Sequence, residues 1–391
     1  MIRWREGTVA SVRATWPGAV EYAVSVFDAD AADQPGASPV DAAGVTPSAP
    51  PSATTVRALG YTALVGTAQP GDRVLLNVSA LERGLGTGGL ALVVAIPDRL
   101  PVDPPAGPGH VVKARYTPLQ AMVLGVDEQE SPHHGVLAEA DSIDGLPVVV
   151  ADLHSAVPAI VAGLRADRPD ARVVYVMTDG GALPSAFSRT VAGLRDADWL
   201  AATITVGQAF GGDLEAVNVH TGLLAARHVV GADVAIVAQG PGNLGTGTRW
   251  GFSGTSAGEA VNAGATLGGR AVASLRVSQA DARPRHLGVS HHSLTAYGRV
   301  ALAPADVPVP LLDSSHGDLG DLGERVLEQA RALCTQSGGR LRLVEVGLDG
   351  LDTALAGSPV RLSTMGRGLD ADRASFLAAA AAGRHAATLL G

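Results

Sequence analysis

The stretch ARVVYVMTDGG, Ala171–Gly181, decides the fold of the longer part of this chain. Its first eight residues form a nearly continuous apolar run, which is typical of a parallel β-strand that is covered by helices on both faces. The run ends in an aspartate and two glycines, so we expect the strand to lead through a glycine turn into a helix. The stretch therefore predicts an α/β domain.

The same alternation extends on both sides of this stretch. Predicted strands are Leu146–Asp152, Ala171–Thr178, Ala201–Val206, Ala232–Gln239, Arg270–Ser278, Arg340–Val346 and Val360–Thr364. Segments with helical spacing lie between them: SAVPAIVAGLRAD, PSAFSRTVAGLRDA, EAVNVHTGLLAARHV and DLGERVLEQARALC. Near the last segment, one apolar stripe is formed by Leu319, Leu322, Val326, Ala330 and Leu333. The pattern predicts a mostly parallel, helix-covered sheet domain over residues 110–391.

The first hundred residues have a different pattern. Five short strands separated by Gly and Pro predict a small β-barrel over residues 1–100. In AVEYAVSVF, Val20, Tyr22, Val24 and Val26 share one face, as a half-buried strand requires. Asp28–Thr55, rich in Ala, Pro, Ser and Asp, predicts a disordered insert within one hairpin. Pro97–Gly109 predicts a linker between the two domains.

Composition narrows the range of partners. The chain has 391 residues, 29 basic and 38 acidic side chains and a formal charge of −9, which argues against nucleic acid as a partner. No apolar run is long enough to span a bilayer, so we expect no membrane partner and a cytoplasmic location. The single cysteine excludes an intramolecular disulfide. We expect a small-molecule ligand, and the sequence is compatible with a homo-oligomer.

Glycine turns carry the main functional signal. They are MTDGGALP, VGQAFGGDLE, QGPGNLGTGT and STMGRGLDAD, and each follows a predicted strand. In a parallel sheet these turns lie along one edge, where open α/β sheets bind their ligands. Bare amides there suit an anion. The candidate binding residues are Gly180, Gly181, Gly211, Gly212, Gly240, Gly242, Asn243, Gly245 and Thr246. The alternative is that these turns need glycine for their backbone conformation alone.

Two further motifs match known patterns incompletely. GPGNLG, Gly240–Gly245, fits the dinucleotide fingerprint, but the next helix is not expected before Ser256, so a different anion-binding loop is favoured. GTSAG, Gly254–Gly258, fits a nucleophile elbow, but the preceding strand ends near Gln239. We therefore favour Ser256 as a helix N-cap.

Three cations are candidates to bind an anionic ligand. Lys113 is the only lysine in a chain whose other basic residues are arginine, so it has either a special role or remained by chance. Lys113 and Arg115 alternate in HVVKARY and would share one face of a strand. Arg367 lies in the last glycine turn.

Histidines and an aspartate are the catalytic candidates. His291 and His292 in GVSHHSLTA precede a predicted helix, where an imidazole can act as a general acid or base, and Asp179 ends a strand. The alternatives are a solvated or structurally hydrogen-bonded histidine pair and an aspartate that stabilises a helix N-terminus. No fixed metal spacing occurs, so we expect no metal; a site of Asp152, His154, Asp179 and His291 is the less favoured alternative.

The chain outside the insert resembles an uncharacterised family of bacterial, actinobacterial-type proteins that is known only as a domain of unknown function. The resemblance rests on GDRVLLNVSALERGLGTGG, GHVVKARYTPLQ, MTDGGALP, GPGNLGTGT and GVSHHSLTA. It implies a bacterial origin and assigns no activity or catalytic residue.

The sequence thus predicts a protein that binds a small phosphorylated or carboxylated metabolite at the carboxyl edge of the sheet. Hydrolase or transferase chemistry is favoured over redox chemistry because the dinucleotide fingerprint is incomplete. The alternative is a non-catalytic regulatory protein that binds a metabolite or nucleotide. The sequence identifies no cofactor.

Overall fold

A computed structural model of the chain describes residues 2–27, 53–86, 88–312 and 319–391. The chain divides into two compact units, Met1–Ala106 and Gly107–Gly391. Each unit has its own apolar core.

The first unit is a closed five-stranded barrel, as predicted. Its strands are β1 (Trp4–Trp16), β2 (Ala19–Phe27), β3 (Ala53–Tyr61), β4 (Arg73–Asn77) and β5 (Ala91–Ala95), in the order β1-β2-β3-β5-β4. β1 pairs with both β2 and β4, which closes the barrel. Two short helices, α1 (Thr62–Val65) and α2 (Ser79–Glu82), connect its strands.

The predicted core face of β2 is confirmed. Val20, Tyr22, Val24 and Val26 are all buried in the barrel core. The hydroxyl of Tyr22 accepts a hydrogen bond from the backbone N–H of Ala68 at 3.0 Å, so its polar end is satisfied. Most of the predicted insert lies outside the described residues, but its last three residues belong to β3, which pairs antiparallel with β2.

The second unit is built on an eight-stranded parallel sheet, which confirms the predicted class. The sheet strands, in chain order, are β8 (Pro147–Val150), β9 (Val173–Thr178), β10 (Ala202–Thr205), β11 (Leu214–Glu215), β12 (Val234–Gln239), β13 (Arg270–Ala273), β16 (Ala305–Pro310) and β17 (Leu341–Val346). Their spatial order is β11-β10-β9-β12-β8-β13-β16-β17. Among the described residues of this unit, three hairpins lie outside the sheet: β6 (Val111–Lys113) with β7 (Ala121–Val123), β14 (Val277–Ser278) with β15 (Gly288–Val289), and β18 (Ser363–Thr364) with β19 (Arg367–Gly368).

Helices cover the sheet. They are α3 (His134–Leu137), α4 (Val157–Asp167), α5 (Arg189–Asp196), α6 (Val219–Ala225), α7 (Ser256–Thr266), α8 (His291–Thr295), α9 (Gly320–Gln336), α10 (Leu351–Ala356) and α11 (Arg373–Thr388). The predicted stripe on α9 faces the core, with Val326 and Ala330 fully buried. Among the described residues, every helix falls short of the length and apolarity that a bilayer crossing requires.

β16 was not predicted because it contains two prolines, which usually exclude a strand from the interior of a sheet. The backbone N–H groups of Ala305 and Leu311 donate to carbonyls of the β17 segment, at 3.1 and 2.9 Å. Because strand residues alternate, the nitrogens of Pro308 and Pro310 point to the other side. There, β13 pairs with β16 only at Asp306, so the missing N–H groups cost no ladder hydrogen bond.

Two strand predictions were wrong in extent. The predicted strand Arg270–Ser278 leaves the sheet after Ala273, and its last residues pair instead with β15. The predicted strand Val360–Thr364 contributes only β18, which pairs with β19 and not with the sheet. After Ala273, the N–H of Ser274 still donates to Val150 of β8, but the carbonyl of Arg276 already accepts from Ser290, so the chain continues into the β14–β15 hairpin.

The central position of β8 determines where a crevice forms at the edge of the sheet that carries the carboxyl ends of the strands. The chain runs from β8 through α4 to β9 on one side, and from β12 through α7 to β13 on the other. Because such connections are right-handed, α4 and α7 lie on opposite faces of the sheet. The carboxyl ends of β8, β12 and β13 therefore border a crevice at a topological switch point, which we call the switch-point crevice.

α4 and the alanine-rich α11 pack together without intervening side chains. A Cβ atom added to Gly163 would overlap the carbonyl oxygen of Ala380, and one added to Gly383 would overlap that of Ile160. These two glycines let the helix backbones touch, which buries almost the whole of α11. α11 was not predicted from the sequence.

We predict that Gly383→Ala lowers the free energy of unfolding by about 1–3 kcal/mol, because the added methyl group forces two helix backbones apart. The matched control is Gly135→Ala in α3, where an added Cβ has no atom within 4 Å. The control gains helix propensity and should be neutral or slightly stabilising. Urea unfolding of both variants measures the difference, and equal effects would contradict this account of the α4–α11 contact.

Candidate functional site

Glycines in the turns after β9 and β12 bring those two turns into contact. A Cβ on Gly181 would overlap the carbonyl oxygen of Gly240, and a Cβ on Gly240 would overlap that of Ala182. A Cβ on Gly180 would lie 2.5 Å from the side-chain oxygen of Gln239. Close packing between the loops therefore accounts for these three glycines by itself.

The turn after β10 uses its amides internally. The N–H of Gly211 donates to the Glu215 carboxylate at 2.6 Å, and the N–H of Gly212 donates to the Thr205 hydroxyl at 3.1 Å. Asp179 accepts a hydrogen bond from the backbone N–H of Gln208 at 2.8 Å, which joins this turn to the one after β9. In the described part of the chain, Asp179 shares no hydrogen bond or ion pair with His291 or His292.

Lys113 is fully buried beneath the same turn. Its ammonium donates to the carbonyl oxygens of Gly207, Ala209 and Ala216 at 2.8, 3.0 and 2.8 Å, and the Glu215 carboxylate lies 3.6 Å away. Burial lowers the pKa of Lys113, while Glu215 opposes the shift. All three donors of the ammonium are used. Lys113 thus holds this loop together with donors that are all engaged within the chain.

The expectation that Lys113 and Arg115 share a face is wrong. β6 ends at Lys113, and the backbone adopts positive φ angles of 47° at Ala114 and 61° at Tyr116. Arg115 is consequently exposed, with its guanidinium 4.9 Å from the centre of the Tyr116 ring.

The turn after β12 folds back on itself above the switch-point crevice. The N–H of Thr246 donates to the carbonyl of Gly251 at 2.7 Å, and Gly245 bridges to Phe252. The side-chain oxygen of Asn243 accepts from the Ser253 hydroxyl at 2.8 Å. Gly242, Gly245 and Thr246 are exposed. No helix opens within the fingerprint motif, since α7 begins at Ser256.

Ser256 is the first residue of α7 and not its N-cap. Its hydroxyl donates to the carbonyl of Ser253 at 3.1 Å, so it caps no backbone N–H. The residue before it, Thr255, makes no side-chain cap either.

Arg367, in the last glycine turn, is paired with acids. Its Nε donates to Asp372 at 2.9 Å, and its Nη2 lies 3.6 Å from Asp281. Asp372 is fully buried and also accepts from the Ser278 hydroxyl at 2.7 Å. This arrangement fastens the β18–β19 hairpin to β14, so the charge of Arg367 is already balanced.

His291 and His292 lie together with a third histidine, His286, and we call these three the histidine cluster. Their ring centres lie 4.4 to 4.9 Å apart. The Ser290 hydroxyl caps α8 by accepting from the N–H of His292 at 3.2 Å and contacts Nδ1 of His286 at 2.8 Å. The Phe252 ring stacks on His292 at 3.8 Å.

Burial keeps the cluster uncharged. It lowers the pKa of His286 to about 4 and that of His292 to about 3, and it also lowers the pKa of His291. Nearby arginine charges act in the same direction, with Arg276 the leading one for His286 and His292. The three imidazoles are neutral at pH 7.

Arg276 was missed by the sequence analysis, although a lone arginine in the apolar run RAVASLRVS was a visible signal. Its side chain is only 9% exposed, at the carboxyl end of β13. Nη1 donates to Nδ1 of His292 at 3.3 Å, and in the described chain the guanidinium makes no other hydrogen bond and no ion pair within 4 Å. It is therefore a buried cation whose donors are largely unused.

Asp152, just beyond the carboxyl end of β8, was named from the sequence only in the less favoured metal site. It is 3% exposed, and its Oδ2 has no hydrogen-bond partner among the described residues. Burial raises the pKa of Asp152, and the charge of Arg276 opposes this shift. Asp152, Arg276, Ser155 and Thr364 line a cavity of about 20 Å³, which is room for one water molecule.

His154 belongs to a separate buried network. Its Nδ1 lies 3.0 Å from the Tyr175 hydroxyl and its Nε2 lies 2.7 Å from the Ser188 hydroxyl, which caps α5. Burial lowers the pKa of His154 to about 4. With both nitrogens engaged, His154 is placed to join β9 to α5.

The geometry defines a parallel α/β protein with a polar site at its switch-point crevice. The chain belongs to the DUF3866 family of proteins of unknown function, which matches residues 57–383. No curated protein matches the chain.

We predict that Lys113→Met lowers the free energy of unfolding by about 3–5 kcal/mol, because it leaves three carbonyls and the Glu215 carboxylate without their shared partner. Arg115→Met is the control, since this exposed side chain should contribute within about 0.5 kcal/mol. Denaturant unfolding of the two variants measures the contrast. If both variants matched the wild type, Lys113 would not hold the loop.

We predict that stability falls between pH 6.5 and about 4 partly through His154. The unfolded chain binds a proton near pH 6.5, whereas the folded chain binds it only near the lowered pKa of about 4. On going from pH 7 to 4.5, His154→Gln should therefore lose about 2–3 kcal/mol less unfolding free energy than the wild type. Identical losses in the two proteins would show that His154 is not the group responsible.

Proposed function

We propose that the α/β unit binds a small phosphorylated or carboxylated metabolite at the switch-point crevice and acts on it as a hydrolase or transferase. The observation that carries this proposal is the buried guanidinium of Arg276, which donates one hydrogen bond within the described chain and has no carboxylate within 4 Å. Its other nitrogens make no hydrogen bond within the described chain and are not fully buried, so an anion can reach them. An oxyanion with two acceptor atoms is the ligand that a guanidinium matches best.

The position of Arg276 supports the same proposal. It follows β13 and lies beside Asp152 at the end of β8, where open α/β sheets bind their ligands. The cations predicted from the sequence are less suited. The ammonium of Lys113 is saturated by carbonyls, Arg367 is paired with Asp372 and Asp281, and Arg115 is exposed. The anion site is therefore assigned to the crevice and not to the turns after β9 and β10.

The histidine cluster supports the catalytic part of the proposal. His292 contacts the guanidinium directly, and His291 and His286 contact His292 through their rings. An anion on Arg276 would thus lie against groups that can transfer protons or bind a metal ion. Asp179 is tied to the turn after β10 and is replaced in this role by Asp152, whose raised pKa suits a proton donor.

The test is calorimetric titration of the full chain with inorganic phosphate, pyrophosphate and succinate. Arg276→Gln should weaken binding of the best of these at least about tenfold, because a hydrogen bond to a charged group is worth about 1.5–3 kcal/mol. Arg299→Gln is the control, since Arg299 is an exposed arginine beyond α8. Arg276→Lys, which keeps the charge, should retain part of the affinity.

Equal binding by the wild type and Arg276→Gln, with both folded by near-ultraviolet circular dichroism, would contradict the assignment. Turnover of p-nitrophenyl phosphate and p-nitrophenyl acetate then separates an enzyme from a non-catalytic binding protein. A protein that binds phosphate through Arg276 and hydrolyses neither compound would favour the regulatory alternative.

A further inference from the structure

The histidine cluster offers three ring nitrogens to one point in space. One nitrogen from each of His286, His291 and His292 lies within 4.8 Å of the other two. Nε2 of His291 is buried and has no hydrogen-bond partner among the described residues. A buried imidazole nitrogen without a partner is unfavourable unless something binds it.

The neighbours of the cluster hold it in place. Ser290 contacts Nδ1 of His286 at 2.8 Å, which leaves Nε2 of that ring for a ligand. Such a contact on the second nitrogen is typical of metal-binding histidines, because it orients the ring and fixes its tautomer. Phe252 stacks on His292 with the two planes 2° from parallel. The cluster is therefore built on ordered side chains.

The donor set suits a transition metal. Three neutral imidazoles are the ligands of catalytic zinc sites that keep a fourth position open. Metal–nitrogen bonds of about 2.0–2.1 Å in a tetrahedron separate the ligand nitrogens by roughly 3.4 Å. In the cluster the three nitrogens lie up to 4.8 Å apart. Rotation of the side chains would bring them to the shorter spacing that a bound metal ion requires.

Arginine charges near the cluster decide how a metal would bind. Arg283 is neutralised by two hydrogen bonds to Asp281, at 2.9 and 2.8 Å, but Arg276 has no carboxylate partner within 4 Å in the described chain. A divalent cation beside Arg276 would be repelled unless an anion lay between the two charges. The metal and the anion should therefore strengthen each other's binding.

The contact between Arg276 and His292 points to the same coupling. A guanidinium only donates hydrogen bonds. If a metal ion bound Nε2 of His292, Nδ1 would carry the hydrogen, and this N–H would face another donor, Nη1 of Arg276. Binding through Nδ1 avoids this conflict and replaces the 3.3 Å contact. Metal binding through Nδ1 then frees the guanidinium for the anion.

We propose that His286, His291 and His292 bind one divalent transition-metal ion of the zinc type, and that an anion held by Arg276 occupies its open position. The anion part rests on the proposed function, whereas the metal site stands on the cluster alone. In a hydrolytic reaction the metal ion, expanding to five ligands, would bind a water molecule beside the anion and activate it. The water oxygen would bond to the phosphorus or carbonyl carbon, the bond to the leaving oxygen would break, and that oxygen would take the proton released by the water.

A second group, His110 with Glu128 and Glu130, provides the control. The Glu128 oxygens already accept from the backbone N–H groups of His110 and Gly125, and the ring of His110 is exposed. These oxygens are engaged, so we expect this group to contribute no tight site.

The experiment titrates the chelator-treated full chain with Co²⁺, followed by calorimetry and by the visible absorption of tetrahedral Co²⁺. One ion should bind, and His286→Ala and His291→Ala should each weaken binding at least about 100-fold. His110→Ala should bind as the wild type does. Because His286 is buried, His291→Asn serves as a further variant at a half-exposed position, and thermal unfolding checks the fold of each variant.

A second titration repeats the Co²⁺ experiment with inorganic phosphate present. Phosphate should raise the Co²⁺ affinity of the wild type by at least about fivefold and leave that of Arg276→Gln unchanged. Absence of a bound Co²⁺ ion, or binding that survives the loss of His286 and His291 but not of His110, would overturn the metal site. Phosphate binding to the metal-free protein is measured separately. Failure of the metal site would therefore not contradict the proposed anion site at Arg276.

Discussion

Right-handed crossover connections constrain the whole α/β unit. β8 lies in the middle of the sheet, and the chain runs from β8 to β9 on one side and from the neighbouring β12 to β13 on the other. The helices that follow β8 and β12 must then cover opposite faces, and the carboxyl end of β8 cannot be closed by either. Asp152 follows β8, Arg276 follows β13, and the turn after β12 brings Phe252 against His292 of the histidine cluster. The polar site is thus a consequence of strand order, with the side chains supplying its chemistry.

Two buried cations, Lys113 and Arg276, differ in how many of their hydrogen-bond donors are used within the protein. Lys113 has three carbonyl partners and a nearby carboxylate, so its charge is fully compensated inside the protein. Arg276 has one imidazole partner in the described chain. A similar contrast holds for the histidines, since both nitrogens of His154 are engaged whereas Nε2 of His291 is not. Lys113 and His154 thus have their partners within the chain, whereas Asp152 and His291 in the crevice keep buried atoms without a partner among the described residues.

Much of the fold could be predicted from the sequence because it depends on local apolar patterns. The buried runs around β8, β9, β10 and β12 and the alternating face of β2 all predicted strands where they occur. β16 could not be predicted, since only its neighbours make Pro308 and Pro310 tolerable. The histidine pair was visible, but Arg276, Asp152 and His286 join it only through the sheet order and the β14–β15 hairpin. The glycine turns lie at the same edge of the sheet as the proposed site, although Gly181 and Gly240 are explained by contact between the loops.

The central claim is that the anion site lies at Arg276 in the switch-point crevice. Diffraction from crystals soaked in tungstate, a heavy-atom analogue of phosphate, tests it most directly because the anomalous signal locates the anion without assumptions about affinity. The account predicts an anomalous peak within hydrogen-bonding distance of the Arg276 guanidinium, beside His292. A peak at the turns after β9 and β10, with none in the crevice, would contradict it and return the anion site to the glycine turns.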